Sequence, residues 1–245
     1  MPADESRSAA SAETDPTSAA EGATVRALEP ADARTGATAA VAQTGRALGP
    51  RALKTRKKLL DATESLLRER SILDISVVDI ARRAETSPAT FYHYFKDVEA
   101  AALLLAAQAA EETPGLLDLI SGEWHGEAGV ATSRDLAHRF IEHWEAHHPV
   151  LTVRNLAADR GDVRFQEARR RALSPVLAAL ADKIEAESPN MATMHPYAAA
   201  AALVSMLEKL AAHVRLLGDR GVRREELIQT TASILQLVVT GGRVD

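Results

Sequence analysis

The sequence predicts an all-α fold, on three observations. Aromatic residues are only 4% of the 245-residue chain, which is rich in alanine and leucine; strands enrich aromatic and β-branched residues, so this composition favours helix. No segment sustains the period-two alternation of a half-buried strand. Between glycine and proline breakers, apolar residues recur instead at spacings of three and four, the signature of one helix face.

Hydrophobic residues make up 46% of the chain, enough for a sizeable core once the N-terminal segment is set aside. Residues 1–45 hold no Phe, Trp, Tyr or Ile and are rich in Ala, Ser, Thr, Glu, Gly and Pro. Such a segment buries too little apolar area to offset its ordering entropy, so a disordered tail is expected there. Cysteine is absent, which excludes disulfides, thiolate metal sites and a cysteine nucleophile. No basic start followed by an apolar run marks a signal peptide, and no run of about 18 apolar residues could span a membrane. The nearest candidate, 191–217, is interrupted by His195, Pro196, Glu208, Lys209, His213 and Arg215. A cytoplasmic protein without a membrane partner is the expectation.

The net charge of −5 argues weakly against a nucleic-acid ligand, but its distribution argues for one. Arg46, Arg51, Lys54, Arg56, Lys57 and Lys58 fall between Gly45 and Leu60 without an acid among them. A local basic patch of this kind attracts phosphates.

The elements follow in order. A helix over 54–70 carries Leu59, Leu60, Thr63, Leu66 and Leu67 on one face. Ser76 is a fitting N-cap for a helix bearing Val77, Ile80, Ala81 and Ala84. Ser87-Pro88 combines an N-cap with a proline at the first helical position, and starts a short helix that ends near Tyr94. Further helices are expected over 97–112, 115–121, 132–148, 150–159, 163–187, 196–217 and 223–240. Their breakers are Gly122, Gly126, Gly129, Pro149, Gly161, Ser188-Pro189, Gly218, Gly221 and Gly241-Gly242.

The stretch from Ser76 to Lys96 holds two short helices joined by about three residues, Glu85 to Ser87. Each has a single apolar face, so neither is stable alone, and both must pack on helix 54–70. One short helix is then left exposed. A helix-turn-helix offers that second helix, led by its N-terminal residues, to the major groove of double-stranded DNA. A domain division of 1–45, 46–96 and 97–245 follows.

The order of a helix, Ile80-Ala-x-x-Ala84, Ser87 and Thr90-Phe-Tyr-x-Tyr-Phe-Lys96 resembles the DNA-binding domain of the tetracycline-repressor (TetR) family, over about residues 54–110. The runs Asp74-Ile-Ser-Val-Val-Asp-Ile-Ala81 and Thr90-Phe-Tyr-His-Tyr-Phe95 are also similar to a mycobacterial subgroup that includes the ethionamide-resistance repressor. The resemblance implies a homodimer on operator DNA. It places Ser76, Thr90, Tyr92 and Lys96 on phosphates and Pro88, Ala89 and His93 near base edges. Phe91, Tyr94 and Phe95 would anchor the recognition helix. Arg51, Lys54 and Arg56 of the basic run, with Ser87, complete the expected interface. Three positions depart from the family pattern. Glu85 stands for the turn glycine, at a strain of about 1 kcal/mol if its φ is positive. Ala89 stands for a glycine, and Val98 for a basic residue.

The region 97–245 reads as a regulatory domain. Helices near 197–217 and 225–240 are the expected dimer helices. Leu227, Ile228, Thr231, Ile234, Leu235 and Val238 form an apolar face, and Ala198–Ala202 allow close approach; the resemblance implies a four-helix bundle across a two-fold axis. Helix 132–148 places Leu136, Phe140 and Trp144 on one arc with His143 and His147. Two histidines four residues apart can share a metal, but no third ligand is evident, so they are expected to line a pocket, and no metal or cofactor is expected. That pocket is an elongated apolar one between 97–112, 132–148 and 163–187, lined by Leu104, Phe140, His143, Trp144 and Leu177. Arg154, Arg160, Arg164, Arg169, Arg170 and Arg171 read as an ion-paired surface with Asp159, Asp162 and Glu167. The alternative is a seat for phosphates of an acyl-CoA-like ligand, because guanidinium forks suit phosphate. The function expected is a repressor released from its operator by a small apolar or acyl-type ligand, not an enzyme. Two readings compete with it. One is a helical metal-dependent enzyme using His138, His143, His147 and His148; the other is a DNA-binding protein with no ligand.

Overall fold

A computed structural model of the protein describes residues 48–111, 115–188 and 194–242. The expected tail 1–45 and Arg46 lie outside the described residues. Ten α-helices and one 3-10 turn are described, and no strand is found among the described residues.

The N-terminal unit is built by local signals. Helix α1 spans Pro50–Glu69 and starts a turn earlier than its apolar face requires. Pro50 is the first helical residue, where a missing N–H has no intrahelical partner to lose. Ser71 caps the 3-10 turn Ile72–Asp74. Helix α2, Val77–Arg83, opens on a reciprocal capping box: Asp79 N–H donates to Ser76 Oγ at 3.2 Å, and Ser76 N–H to Asp79 Oδ2 at 3.1 Å. Helix α3, Pro88–Tyr94, opens on Thr90 N–H donating to Ser87 Oγ at 3.1 Å. Helix α4 spans Val98–Glu111. Leu59, Ile80, Phe91 and Ala101 are wholly buried where these helices meet. Burial of each large side chain stabilises the unit by about 1.5–3 kcal/mol. The same cluster takes in Val150, Val153 and Phe165 from the body.

The body comprises α5 (Gly115–Ser121), α6 (Gly126–Asp159), α7 (Val163–Glu187), α8 (Pro196–Ala212), α9 (Val214–Gly218) and α10 (Arg224–Val239). Its core joins Trp124, Leu136, Phe140, Trp144, Leu180, Leu207 and Leu235.

Two boundary expectations are corrected. The helices expected over 132–148 and 150–159 are one helix, α6, which already begins at Gly126. Pro149 cannot donate to the Glu145 carbonyl, and the chain absorbs this with a kink at His147 (φ −110°, ψ 15°) rather than a break. Gly129 does not break the helix either. A Cβ there would stand 2.0 Å from the Trp124 carbonyl oxygen, so glycine permits a close approach. The helix expected over 196–217 divides at His213 (φ −113°, ψ 17°) into α8 and α9.

Candidate nucleic-acid interface and regulatory core

The turn between α2 and α3 is closed by Thr86 N–H donating to the Ala81 carbonyl at 2.9 Å. That reversal puts Glu85 in the left-handed region (φ 54°), and Glu85 is the one described non-glycine residue there. The helix-turn-helix therefore keeps the glycine-type geometry with a strained glutamate.

Phe91 and Phe95 point inward with ring centroids 5.4 Å apart, and Tyr94 is half-buried. Outward lie Ser87, Pro88, Ala89, Tyr92, His93 and Lys96, all exposed, with Thr90 half-buried. Tyr92 is 54% exposed and meets Phe91 edge-on at 5.9 Å. Ser76 is exposed, and its hydroxyl donates to Asp79 Oδ2 at 2.6 Å.

The basic run divides by role. Arg51 and Lys54 are exposed, and with Lys96 they enter no ion pair among the described residues. Lys57 is tied to Asp61 at 2.7 Å. Arg56 turns inward: its guanidinium lies 5.7 Å from the Phe95 ring centroid, and burial lowers its pKa. Arg56 thus braces the recognition helix from behind, away from the outer row. Sequence reasoning missed Asp79, which holds Ser76 and also meets Arg70 at 3.2 Å. The Ser-x-x-Asp spacing of a capping box was the available signal.

In the body, Phe140 and Trp144 are buried and His143 half-buried. With Leu151, Arg154, Leu173 and Val176 they line a small cavity of about 20 Å³, room for about one water. Two of the five expected pocket residues are placed elsewhere. Leu104 packs on the N-terminal core. Leu177 lines an outer concavity of about 400 Å³ with Arg169, Arg170, Leu173 and Tyr197.

His143 and His147 have ring centroids 4.9 Å apart, His148 meets Trp144 edge-on, and His138 Nδ1 is 3.9 Å from Glu142. Among the described residues no three His, Cys, Asp or Glu side chains are grouped to hold a metal.

The arginines separate into two sets. Arg170 and Arg171 share Glu167 at 2.8 and 2.6 Å, and their hydrogen bonds hold its carboxyl down to about 2. Arg164 pairs with Asp162 at 2.7 Å. These are surface pairs. Arg154 is different. It and Glu208 are each 3% exposed and are joined at 2.9 Å. Asn155 also donates to Glu208, at 3.0 Å, and Arg169 donates to it from the surface side. Burial lowers the pKa of Arg154, opposed by the charge of Glu208. Sequence reasoning missed Glu208.

A helix-turn-helix with a solvent-facing second helix, set on a helical body, defines a DNA-binding transcriptional regulator. The chain belongs to the tetR family of bacterial regulatory proteins: residues 59–109 match the model of that name and residues 116–245 that of the tetracyclin repressor-like C-terminal domain. Among solved structures, a tetR-family regulator from Streptomyces coelicolor is similar at 17% identity and TM-score 0.60, over 79% of this chain and 84% of that one. The fatty acid degradation regulator FadR from Bacillus halodurans is similar at 16% identity and TM-score 0.55, over 82% and 100%. FadR from Bacillus subtilis, in complex with stearoyl-CoA, is similar at 16% and 0.53, over 76% and 98%. These likenesses are of fold. No curated protein matches the chain. No described helix is long and apolar enough to cross a membrane.

Proposed function

We propose that the protein is a cytoplasmic, homodimeric repressor whose hold on operator DNA is loosened by a small apolar or acyl-type ligand in the body. The observation that carries the DNA-contact reading is the exposed edge of α3, from Ser87 to His93, flanked by Arg51, Lys54 and Lys96, which enter no ion pair among the described residues. On this reading Ser76, Thr90, Tyr92 and Lys96 contact phosphates, and Pro88, Ala89 and His93 lie near base edges. The dimer reading is supported by the outer faces of α8 and α10. Their middle turns expose Ala198, Ala202 and Ser205, and Thr230, Ser233 and Leu237, with Lys209 and Glu226 at the ends of the same faces; Leu227, Ile228, Thr231 and Leu235, expected on the dimer face, are buried within the body instead. The ligand reading is supported by the aromatic cavity at Phe140 and Trp144 and by a fold shared with a regulator seen with stearoyl-CoA. Kinship with the ethionamide-resistance-repressor subgroup rests on the runs 74–81 and 90–95.

The test is selection of bound sequences from random DNA by the purified protein, followed by footprinting. An inverted repeat is expected, with half-sites about one helical turn or a multiple of it apart. A footprint over a single unpaired half-site would overturn the dimer reading. Absence of any preferred sequence would overturn the regulator reading.

A further inference from the structure

The outer concavity and the inner cavity share one lining residue, Leu173. Outside it stand Arg169, Arg170, Asp159 and Tyr197, with Arg169 paired to Asp159 and Glu208 and Arg170 to Glu167. Inside it stand Phe140, Trp144 and Val176, with Arg154 at the wall. A leucine side chain is therefore the partition between an arginine-bearing mouth and an aromatic interior. Arg169 stands on both sides of that division, because its guanidinium lines the mouth and donates to the buried Glu208. Inside, Glu208 faces two guanidiniums, Arg154 and Arg169; the other acid near Arg169 is the exposed Asp159, at 3.4 Å. Among the described residues Glu208 thus meets one buried guanidinium and one at the mouth, and solvent screens Asp159.

Each of the two long helices that line the inner cavity contains a proline. Pro175 lies in α7 between Leu173 and Val176, and Pro149 lies in α6 between Trp144 and Leu151. Each removes one backbone hydrogen bond, and in α6 the chain is kinked there, at His147.

Resting on the ligand-controlled reading above, we propose that Leu173 separates the two halves of one binding site for an anionic amphiphile. The acid group is held by Arg169 at the mouth, and the alkyl chain passes Leu173 to lie between Phe140, Trp144 and Val176. Guanidinium forks recognise carboxylate and phosphate alike, so the class is fixed by a single anionic head on an unbranched apolar chain. A chain needs more room than about 20 Å³. Displacement of Leu173 toward the mouth supplies it by merging the two spaces, and the amphiphile draws the population to that open arrangement by binding it alone.

Calorimetric titration of the full-length protein with dodecanoate, dodecyl phosphate and dodecanol tests this. One or both anions should bind at least about tenfold tighter than the alcohol, the usual margin of a charge-assisted bond; which anion prevails identifies the head. Leu173→Ala should tighten the preferred anion several-fold. Leu173→Trp should abolish its binding while the helical circular dichroism is retained. Arg169→Gln leaves Glu208 paired with Arg154, so the fold is kept; it should bring anion and alcohol to equal affinity. Equal affinity of all three probes for the wild type, or unchanged binding in both Leu173 variants, would overturn the site. Operator release is read separately, by DNA shift with the same probes. Tight binding without release would overturn ligand control and leave the site standing.

Discussion

The Glu85 carboxylate lies 4.0 Å from the Lys58 ammonium, on a backbone that a glutamate adopts under strain. The pair stands at the helix-turn-helix turn, where phosphates would approach. A left-handed residue other than glycine costs about 1 kcal/mol, and an exposed ion pair repays little of that. Glu85→Gly should therefore raise the melting temperature by about 2–4 °C, the shift for about 1 kcal/mol in a chain of this size. On the proposed DNA-contact reading it should also tighten operator binding, since an anion leaves the α2–α3 turn and Lys58 is freed. Thermal melts and a DNA titration check both; a lower melting temperature would show that the turn does not need a glycine-type residue.

Asp79 makes the N-terminal unit sensitive to acid. Hydrogen bonds from Ser76, then the charge of Arg70, hold its carboxyl below the ordinary range. Its folded pKa is lower than its unfolded one, so the folded state binds fewer protons. The stabilisation is therefore present above the unfolded value, near pH 4, and is lost as pH falls through the folded value. Asp79→Asn should melt below the wild type at pH 7, and the two should converge as pH falls below about 4. A gap independent of pH would mean that the capping geometry, and not the charge, is what Asp79 contributes.

These local devices were the legible part of the sequence. Ser76, Ser87 and the Phe91–Phe95 pair act within a few residues of themselves, so spacing alone reports them. The run of α6 through Pro149 was not legible. A proline argues for a break, and here Trp144 before the kink and Val150, Leu151 and Val153 after it are all buried, so tertiary packing outweighs one lost hydrogen bond. Nor was Glu208 legible. Next to Lys209 it reads as a solvated pair, and its burial depends on Arg154 and Arg169, 54 and 39 residues away. The expected pocket failed to gather Leu104 for a related reason. Helix α4 buries alanines toward both cores, and nothing in its pattern says which core Leu104 joins.

The buried triad predicts an unequal mutational response. Glu208→Leu leaves Arg154 enclosed without its carboxylate, and should destabilise the protein by about 3–5 kcal/mol. Arg154→Met should cost less, about 1–3 kcal/mol, because Arg169 still meets Glu208. The double variant Arg154→Met with Glu208→Leu should recover most of the loss, since Arg169 can turn outward to Asp159. Urea unfolding of the three variants checks the order. Additive losses in the double variant would show that the two residues do not act as a pair.

The last prediction concerns how a change in the body reaches the recognition helix. Arg68, near the end of α1, donates to the Ala146 carbonyl at 3.3 Å and is held by Glu64 at 2.6 Å. Ala146 precedes the non-helical His147, so the bond ties the N-terminal unit to the kink of α6. The residues around that kink face both ways: Trp144 lines the inner cavity, while His148, Pro149 and Val153 line a groove of about 670 Å³ shared with Leu67, Arg68 and Ile72. A chain entering beside Trp144 would press on one side of the kink, and Arg68 would feel the other. Arg68→Met removes the tie while keeping the stem that packs beside it. Operator affinity without ligand should change by less than about threefold, since Arg68 lies outside the α3 face. The loss of operator affinity caused by saturating dodecanoate, or dodecyl phosphate if that binds tighter, should shrink by about 1 kcal/mol, a good part of a typical coupling energy of about 1–3 kcal/mol. DNA titrations with and without the amphiphile, on wild type and variant, give that coupling directly. An unchanged coupling with intact ligand binding would show that the signal leaves the body by another route, such as α4 or the packing of Val150, Val153 and Phe165 on the N-terminal core.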